Sequence, residues 1–160
     1  MKSIKELKVS IEPLNNKFML LLIDIDNKIF KSAIINDDLL SIEELSDVLG
    51  VKMQDIYINK EEYYIHDGDI ILLELYMNIK NNKFKKIKIV IMEDTELNHP
   101  HSVIFLDDED KEINGDTIHG DFINMDDIYY YLKPNKRVFA NRDDIANNMF
   151  KNGASLFLEI

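Results

Sequence analysis

The sequence contains no cysteine among its 160 residues. This absence excludes a disulfide framework, a thiolate metal site and every mechanism that uses a cysteine nucleophile or thioester. Glycine is also scarce, with 5 residues, and none of them lies in a glycine-rich phosphate loop. No serine lies in a nucleophile-elbow motif. We therefore predict that the protein is not an enzyme, and that it has no catalytic site, bound cofactor or metal.

Long hydrophobic runs are absent as well. The longest, residues 18–23, is far shorter than the roughly 18 residues that a membrane span requires. Residues 1–10 contain lysine and glutamate where a secretory signal has an unbroken apolar segment. These features predict a cytoplasmic protein without a membrane partner.

Basic residues are few, at 19 lysines and arginines against 30 aspartates and glutamates, which gives a formal net charge of −11. Such a surface repels the phosphate backbone, so direct binding to nucleic acid is not expected. Hydrophobic residues still form 46% of the chain, enough for a packed core. The composition indicates an acidic, globular protein.

The first half of the chain contains a regular series of predicted elements. Ser41 and Glu44 form the capping box of a helix with an apolar stripe, and Gly50 ends this helix. Asp26 and Asn27 favour a tight hairpin turn before it. In chain order the elements are strands at residues 18–25 and 28–35, the helix, a short strand at 54–59, a polar crossing segment at 60–66, a turn at Gly68 and a strand at 70–75.

The second half repeats this series. Strands are predicted at residues 86–92 and 103–107, and a helix follows that is capped by Asn124 and stopped by Pro134. The features that recur in the same order are the helix cap (Ser41 and Asn124), its third-position acid (Glu44 and Asp127), the polar segment after the helix (residues 59–62 and 141–144) and the turn glycine before the last strand (Gly68 and Gly153). This recurrence predicts an internal duplication.

A single α+β domain with one mixed sheet is the competing interpretation. It requires a full helix at residues 141–152, whereas the duplication requires a short turn there. Asn141 is a suitable cap, and Ile145, Met149 and Phe150 give this segment an apolar side. Both interpretations stay open for this segment.

The order of hairpin, helix, short strand, crossing segment and glycine-led final strand resembles the β-grasp fold of ubiquitin-like proteins. Residues 58–73 are most similar to the sulfur-carrier branch. The resemblance implies an α+β fold of two tandem β-grasp domains. The first is expected at residues 1–77 with an N-terminal arm, and the second at 86–160 after a linker at 78–85. Carriers and modifiers of this superfamily end in Gly-Gly, whereas this chain ends in Leu158, Glu159 and Ile160, which argues against sulfur carriage.

From the resemblance we expect a non-catalytic bacterial protein modifier or protein-binding adaptor. Its expected partners are proteins, with adenylating or conjugating enzymes and a protease among them. The alternative is an acidic inhibitor of the anti-restriction or immunity type, which covers a basic surface of a nuclease or toxin. Acidic residues are shared evenly between the two halves, which argues against the alternative.

Two patterns contain metal-ligating residue types. His99 and His101 place two imidazoles two residues apart, with His119 further on, but Pro100 disrupts strand geometry between them. Residues 110–121 place oxygen-bearing side chains and a glycine at calcium-loop positions, but they follow a predicted strand where the motif needs a helix. We expect polar loops in both places.

Clusters of lysine and of tyrosine are the remaining candidates. The basic stretch, interpreted as a solvated linker rather than an anion site, comprises Lys80, Lys83, Lys85, Lys86 and Lys88. The paired Tyr63 and Tyr64 and the three tyrosines at 129–131 offer large amphipathic side chains for an interface. Half-buried packing is the more common role of such residues.

Overall fold

The computed structural model describes residues 2–76, 83–93 and 101–160. The chain divides into two compact units, Met1–Asn81 and Asn82–Ile160. Within the described residues the architecture is mixed α and β, mostly strands with three short α-helices, and each unit has its own five-stranded sheet. None of the helices in these ranges is long and apolar enough to span a membrane.

The first unit consists of two sheets and one α-helix. Its elements in chain order are β1 (Lys2–Leu14), β2 (Lys17–Ile23), β3 (Ile29–Ile35), β4 (Leu39–Ser41), α1 (Ile42–Leu49), a 3₁₀ turn (Met53–Asp55), β5 (Ile56–Tyr57), β6 (Tyr64–His66) and β7 (Ile70–Tyr76). The main sheet has the order β3-β2-β1-β7-β5, and all four pairings are antiparallel. β4 and β6 form a small second sheet.

The second unit follows the same plan. Its elements in chain order are β8 (Phe84–Glu93), β9 (His101–Leu106), β10 (Glu112–Ile118), β11 (Phe122–Ile123), α2 (Met125–Leu132), β12 (Val138–Ala140), α3 (Arg142–Asn147), β13 (Phe150–Lys151) and β14 (Ser155–Glu159). The main sheet has the order β10-β9-β8-β14-β12, again antiparallel throughout, and β11 pairs with β13. Strand for strand, this is the order of the first unit.

Alternating apolar residues explain why β1 and β8 lie at the centres of their sheets. In β1, Leu7 and Val9 are fully buried while Lys8 between them is exposed, and β8 buries Ile87 and Ile89 in the same way. The helices add one fully buried side chain each, Leu45 in α1 and Ile128 in α2. The described strands of the two units belong to separate sheets, so the single mixed sheet of the competing interpretation is wrong.

The predicted helix caps are confirmed. The Ser41 hydroxyl accepts a hydrogen bond from the Glu44 N–H at 3.1 Å, and the Glu44 carboxylate accepts one from the Ser41 N–H at 3.4 Å. Asn124 and its third-position acid form the same pair of bonds, at 2.9 and 3.0 Å. α1 ends at Gly50 with a left-handed φ of 67°, as predicted. α1 and α2 therefore each begin with a closed capping box.

An aspartate organises the hairpin turn in each unit. One carboxylate oxygen of Asp24 accepts the N–H groups two and four positions further on, both at 2.9 Å, and Asp107 does the same at 2.9 Å. The left-handed residues of these turns are Asn27 and Asp110, with φ of 61° and 60°. These backbone hydrogen bonds lower the pKa of both carboxyl groups. The predicted turn around Asp26 and Asn27 is confirmed.

The last strand of each unit is joined to the central strand by the same turn. Val9 accepts from the Gly68 N–H at 2.8 Å and donates to the Asp69 carbonyl at 2.8 Å. In the second unit Ile89 makes the corresponding bonds to residues 153 and 154, at 2.9 and 2.8 Å. Gly68 and its counterpart have φ of 89° and 90°, which only glycine adopts freely. The correspondence between the units therefore reaches individual hydrogen bonds.

The predicted N-terminal arm of the first domain is wrong. This segment is β1, the central strand, which pairs with β2 on one side and β7 on the other. Lysine and glutamate residues lie between the apolar residues of β1, and this high charge concealed the alternation that is typical of a strand. The strand predicted at 86–92 is β8, which is the counterpart of β1 in the first unit. The strand predicted at 103–107 is β9, which is the counterpart of β2 and not of β3.

Other boundaries also differ from the predictions. Residues 141–152 contain the short helix α3 and strand β13 rather than a simple turn, because Ile145 and Phe150 are both buried. Residues 78–82 of the predicted linker lie outside the described residues, whereas 84 and 85 belong to β8. The strand predicted at 54–59 is a 3₁₀ turn followed by the two residues of β5. Strand β10 and the short strands β4, β6, β11 and β13 were not predicted from the pattern.

Candidate functional site

The main sheet of the first unit has a face that turns away from its core. In β2, Leu20 and Leu22 are fully buried. Side chains alternate between the two faces of a strand, so Met19, Leu21 and Ile23 lie on the opposite face, where each is partly exposed. This face is therefore apolar from Met19 to Ile23, after Lys17 at the start of β2.

The register of the β2–β3 pair extends the apolar face to the edge of the sheet. Met19 lies opposite Ile34, and Ile23 lies opposite Ile29. Directly opposite residues share a face. Ile29 and Ile34 are 61% and 60% exposed. We call these five residues, Met19, Leu21, Ile23, Ile29 and Ile34, the outer patch.

β3 is also an edge strand. It ends the strand order of its sheet, and within the described residues its outward backbone groups have no strand partner. The register shift near Ile23 marks a bulge at the hairpin end, while the pairs from Lys31 to Ile35 are regular. An exposed edge with apolar side chains is a template for an added strand, and Lys31 is its only charged residue.

The corresponding surface of the second unit is polar. By register, Ser102 takes the place of Met19, Glu112 that of Ile29 and Thr117 that of Ile34. The two remaining positions keep apolar residues, Ile104 and Leu106. The same fold thus tolerates polar residues at three of the five positions, so its packing does not require apolar residues at positions 19, 29 and 34.

Charged residues next to the last turn of the first unit form a closed network. The Lys60 ammonium lies 2.5 Å from an Asp69 carboxylate oxygen and 3.8 Å from Glu62. It also lies 3.2 Å from Nδ1 of His66, and the His66 N–H donates to Asp69 at 2.8 Å. The charged groups of this network pair with one another, so the network has a structural role.

The same place in the second unit is an open cleft of about 270 Å³. Ala154 stands where Asp69 stands in the first unit, so the anchor of the network is missing. Burial, and secondarily the neighbouring charge of Asp143, raises the pKa of the Asp144 carboxyl group. The residues lining the cleft are Asp144, Asn147, Met149, Lys151, Asn152 and Ala154.

The histidine candidates are only partly described. His99 and Pro100 lie outside the described residues, His101 begins β9, and His119 follows β10. Across residues 2–76, 83–93 and 101–160, no group of three or more histidines and carboxylates could hold a metal ion. The described geometry brings no third ligand to His101.

The calcium-like segment is not a loop. Residues 112–118 form strand β10, and the preceding acidic residues belong to the hairpin turn that Asp107 closes. An extended strand alternates its side chains between two faces, so the oxygen groups of this segment cannot converge on one ion. The expected polar loop is therefore wrong for residues 112–118, although most of them are exposed.

The lysine and tyrosine clusters have ordinary structural surroundings. Lys85, Lys86 and Lys88 lie in β8 rather than in a linker, whereas Lys80 lies outside the described residues. The Tyr131 hydroxyl donates to Asp116 at 3.0 Å, and burial raises its pKa to about 12. The exposed tyrosines are Tyr63, Tyr64, Tyr129 and Tyr130.

Comparison of the chain with protein-family models, with curated proteins and with solved structures finds no match. Sequence reasoning identified the tyrosines and histidines but missed the outer patch. The run of apolar residues in β2 does not reveal which of them are buried, and only the register with β3 assigns them to faces.

Proposed function

We propose that the protein is a non-catalytic, ubiquitin-like binding module of two tandem β-grasp units, which acts as a protein modifier or adaptor. The outer patch of the first unit is its main protein-binding surface. The single observation that carries this proposal is the exposed apolar pair Ile29 and Ile34 on an open sheet edge.

The order of elements supports the β-grasp part of the proposal. Each unit has a hairpin, a helix, a short strand and a final strand led by a left-handed glycine. Each also has one additional central strand, β1 or β8, between the hairpin and the final strand. We regard these units as β-grasp-like, with the additional strand as their distinguishing feature.

The chemistry of the outer patch supports a protein partner. Covering apolar surface with a partner is favourable by roughly 25 cal/mol of free energy per Å². Contiguous exposed apolar patches commonly mark interaction sites. An added strand would pair with the regular segment from Lys31 to Ile35. Its alternate side chains would then lie beside Ile34 on the face of the outer patch, and an acidic residue on the other face would pair with Lys31, which lies opposite the buried Leu22.

A triple variant that copies the second unit tests the proposal. Met19→Ser, Ile29→Glu and Ile34→Thr install the residues found at the corresponding positions, which the fold already accommodates. Proteins retained from the source cell by the immobilised wild-type chain are identified and their affinities for both forms are measured. We expect the variant to lose binding by at least about tenfold, which corresponds to roughly 1.4 kcal/mol. Equal affinity of the two forms would contradict the proposal.

The salt dependence of binding separates the adaptor from the acidic inhibitor. Binding through the outer patch depends weakly on ionic strength because it is apolar. An inhibitor that covers a basic surface would bind much more weakly in high salt and would be insensitive to the triple variant. The intact mass of the cellular protein tests the modifier role, since a conjugate adds the mass of its target.

A further inference from the structure

The cleft beside Asp144 is lined by polar side chains that make few bonds to other groups of the protein, and Asn147, Lys151 and Asn152 among them are exposed to solvent. The Asp144 carboxylate, the Asn147 amide and the Lys151 ammonium make no hydrogen bond or ion pair with another side chain or backbone group in the described ranges. Asn152 uses only its carbonyl oxygen, which accepts from the Ile91 N–H at 2.9 Å. A negative and a positive group therefore line one cleft without pairing with each other.

The first unit shows what a satisfied version of this site looks like. There the carboxylates of Glu62 and Asp69 share the Lys60 ammonium, at 3.8 and 2.5 Å. In the second unit Arg142 takes the place of Lys60 and pairs with Asp143 at 3.0 Å. Ala154 supplies no carboxylate. The internal ion network is thus replaced by open volume.

The chemistry of the lining defines what would fill this volume. A half-buried carboxylate has lost part of its hydration and favours a cation that compensates for this loss, and a primary ammonium also donates three hydrogen bonds to the surrounding oxygens. An ammonium such as that of Lys151 favours a carboxylate. The volume of about 270 Å³ is at or below the lower end of pockets for drug-sized ligands, roughly 300 to 1,000 Å³. A small molecule with both charges matches the lining best.

We propose that this cleft binds a small zwitterion, with its ammonium group on Asp144 and its carboxylate on Lys151, and with Asn147 and Asn152 donating or accepting at its centre. The binding of an amino-acid-type ligand goes beyond the protein-binding role. Its site lies in the second unit, whereas the outer patch lies in the first. Loss of either site leaves the other unaffected, so the two proposals fail independently.

A nuclear magnetic resonance titration of the full chain tests the site. The probes are glycine, β-alanine and 4-aminobutanoate, which separate the two charges by increasing lengths, with methylammonium and acetate as half-ligands. We expect saturable shifts of the backbone amides of residues 144–154 for one of the three zwitterions. Each half-ligand should bind at least about tenfold more weakly than that zwitterion.

Three variants complete the experiment. Asp144→Asn and Lys151→Gln should each reduce the affinity by at least about tenfold. Ala154→Asp restores the carboxylate of the first unit and should close the site. Unchanged amide positions outside residues 141–154 show that each variant is folded. The proposal is overturned if shifts stay linear up to about 50 mM probe, if methylammonium binds as well as the zwitterions, or if Asp144→Asn binds normally.

Discussion

Arg137 and Glu159 form a two-pronged ion pair beside the last strand of the second unit. Nε and Nη2 of the guanidinium donate to the two carboxylate oxygens at 2.9 and 2.7 Å. These hydrogen bonds from Arg137 lower the pKa of Glu159 to about 2. The carboxylate is mostly shielded from solvent, while the guanidinium is about one third exposed, at 13% and 35% of their side-chain surfaces.

The pair makes the second unit sensitive to acid. Glu159 has its ordinary pKa of 4.5 in the unfolded chain and about 2 in the folded one, so its contribution is complete above pH 4.5 and is lost as the pH falls towards 2. We expect a loss of about 1 to 2 kcal/mol, because solvent at the guanidinium screens part of the interaction. Urea unfolding at about pH 6 and about pH 3 measures it. Arg137→Met should reduce the acid-induced loss by this amount, while carboxyl groups with a lowered pKa such as Asp107 still contribute, and an unreduced loss would contradict the assignment.

The turn glycines Gly68 and Gly153 are predicted to resist replacement by alanine. Gly68→Ala and Gly153→Ala should each destabilise their own unit by about 1 to 2 kcal/mol, because φ near 90° strains any residue with a Cβ. A Cβ would meet no neighbour at either position, so backbone conformation is the sole cause. Gly120→Ala is the control, since it also has open space and no left-handed φ. Denaturant unfolding of the three variants gives the comparison, and equal costs would contradict the prediction.

A side chain anchors the central strand in each unit. Asp67 accepts from the Ile11 N–H at 2.8 Å, and Asn152 accepts from the Ile91 N–H at 2.9 Å. Removing either acceptor by alanine should cost about 1 to 3 kcal/mol, because the amide loses its partner in a partly buried place. The exchanges Asp67→Asn and Asn152→Asp keep an acceptor and copy the opposite unit. They should change the free energy of unfolding by less than half as much, and a loss equal to that of alanine would show that the hydrogen bond is not the cause.

The two cores should respond to mutation separately. Leu45→Ala and Ile128→Ala each remove a fully buried side chain, for an expected cost of about 2 to 5 kcal/mol. Hydrogen exchange should accelerate mainly in the strands of the mutated unit, because each helix packs within its own unit. Uniform acceleration over both sheets would mean that the chain has one cooperative core.

Local signals allowed part of this fold to be predicted from the sequence. The capping residues Ser41 and Asn124 and the turn glycines act over a few positions, so their patterns can be read directly. β1 was missed because lysine and glutamate residues lie between its apolar residues, so the segment was interpreted as an N-terminal arm. β10 was missed because an edge strand exposed on both faces, with Gly115 inside it, lacks the apolar alternation of a strand.

The candidate sites could not be predicted from the sequence, because they depend on strand register and on the geometry of the ion network. The outer patch needs the register of β2 against β3, which decides the face of Met19 and Ile34 together. The cleft depends on Ala154, which stands where Asp69 stands in the first unit. Aligning the two halves shows this difference, but nothing in the alignment marks it as important. Only the geometry of the ion network shows what that replacement removes.

Site-specific photocrosslinking tests the protein-binding role most directly. A benzophenone amino acid is placed at Ile34 in one form of the full chain and at the corresponding Thr117 in another, and each is irradiated in the source cell. The account predicts a discrete protein adduct from position 34 that disappears when Met19→Ser and Ile29→Glu are added, and none from position 117. The same adducts from both positions, or no adduct from position 34, would contradict it.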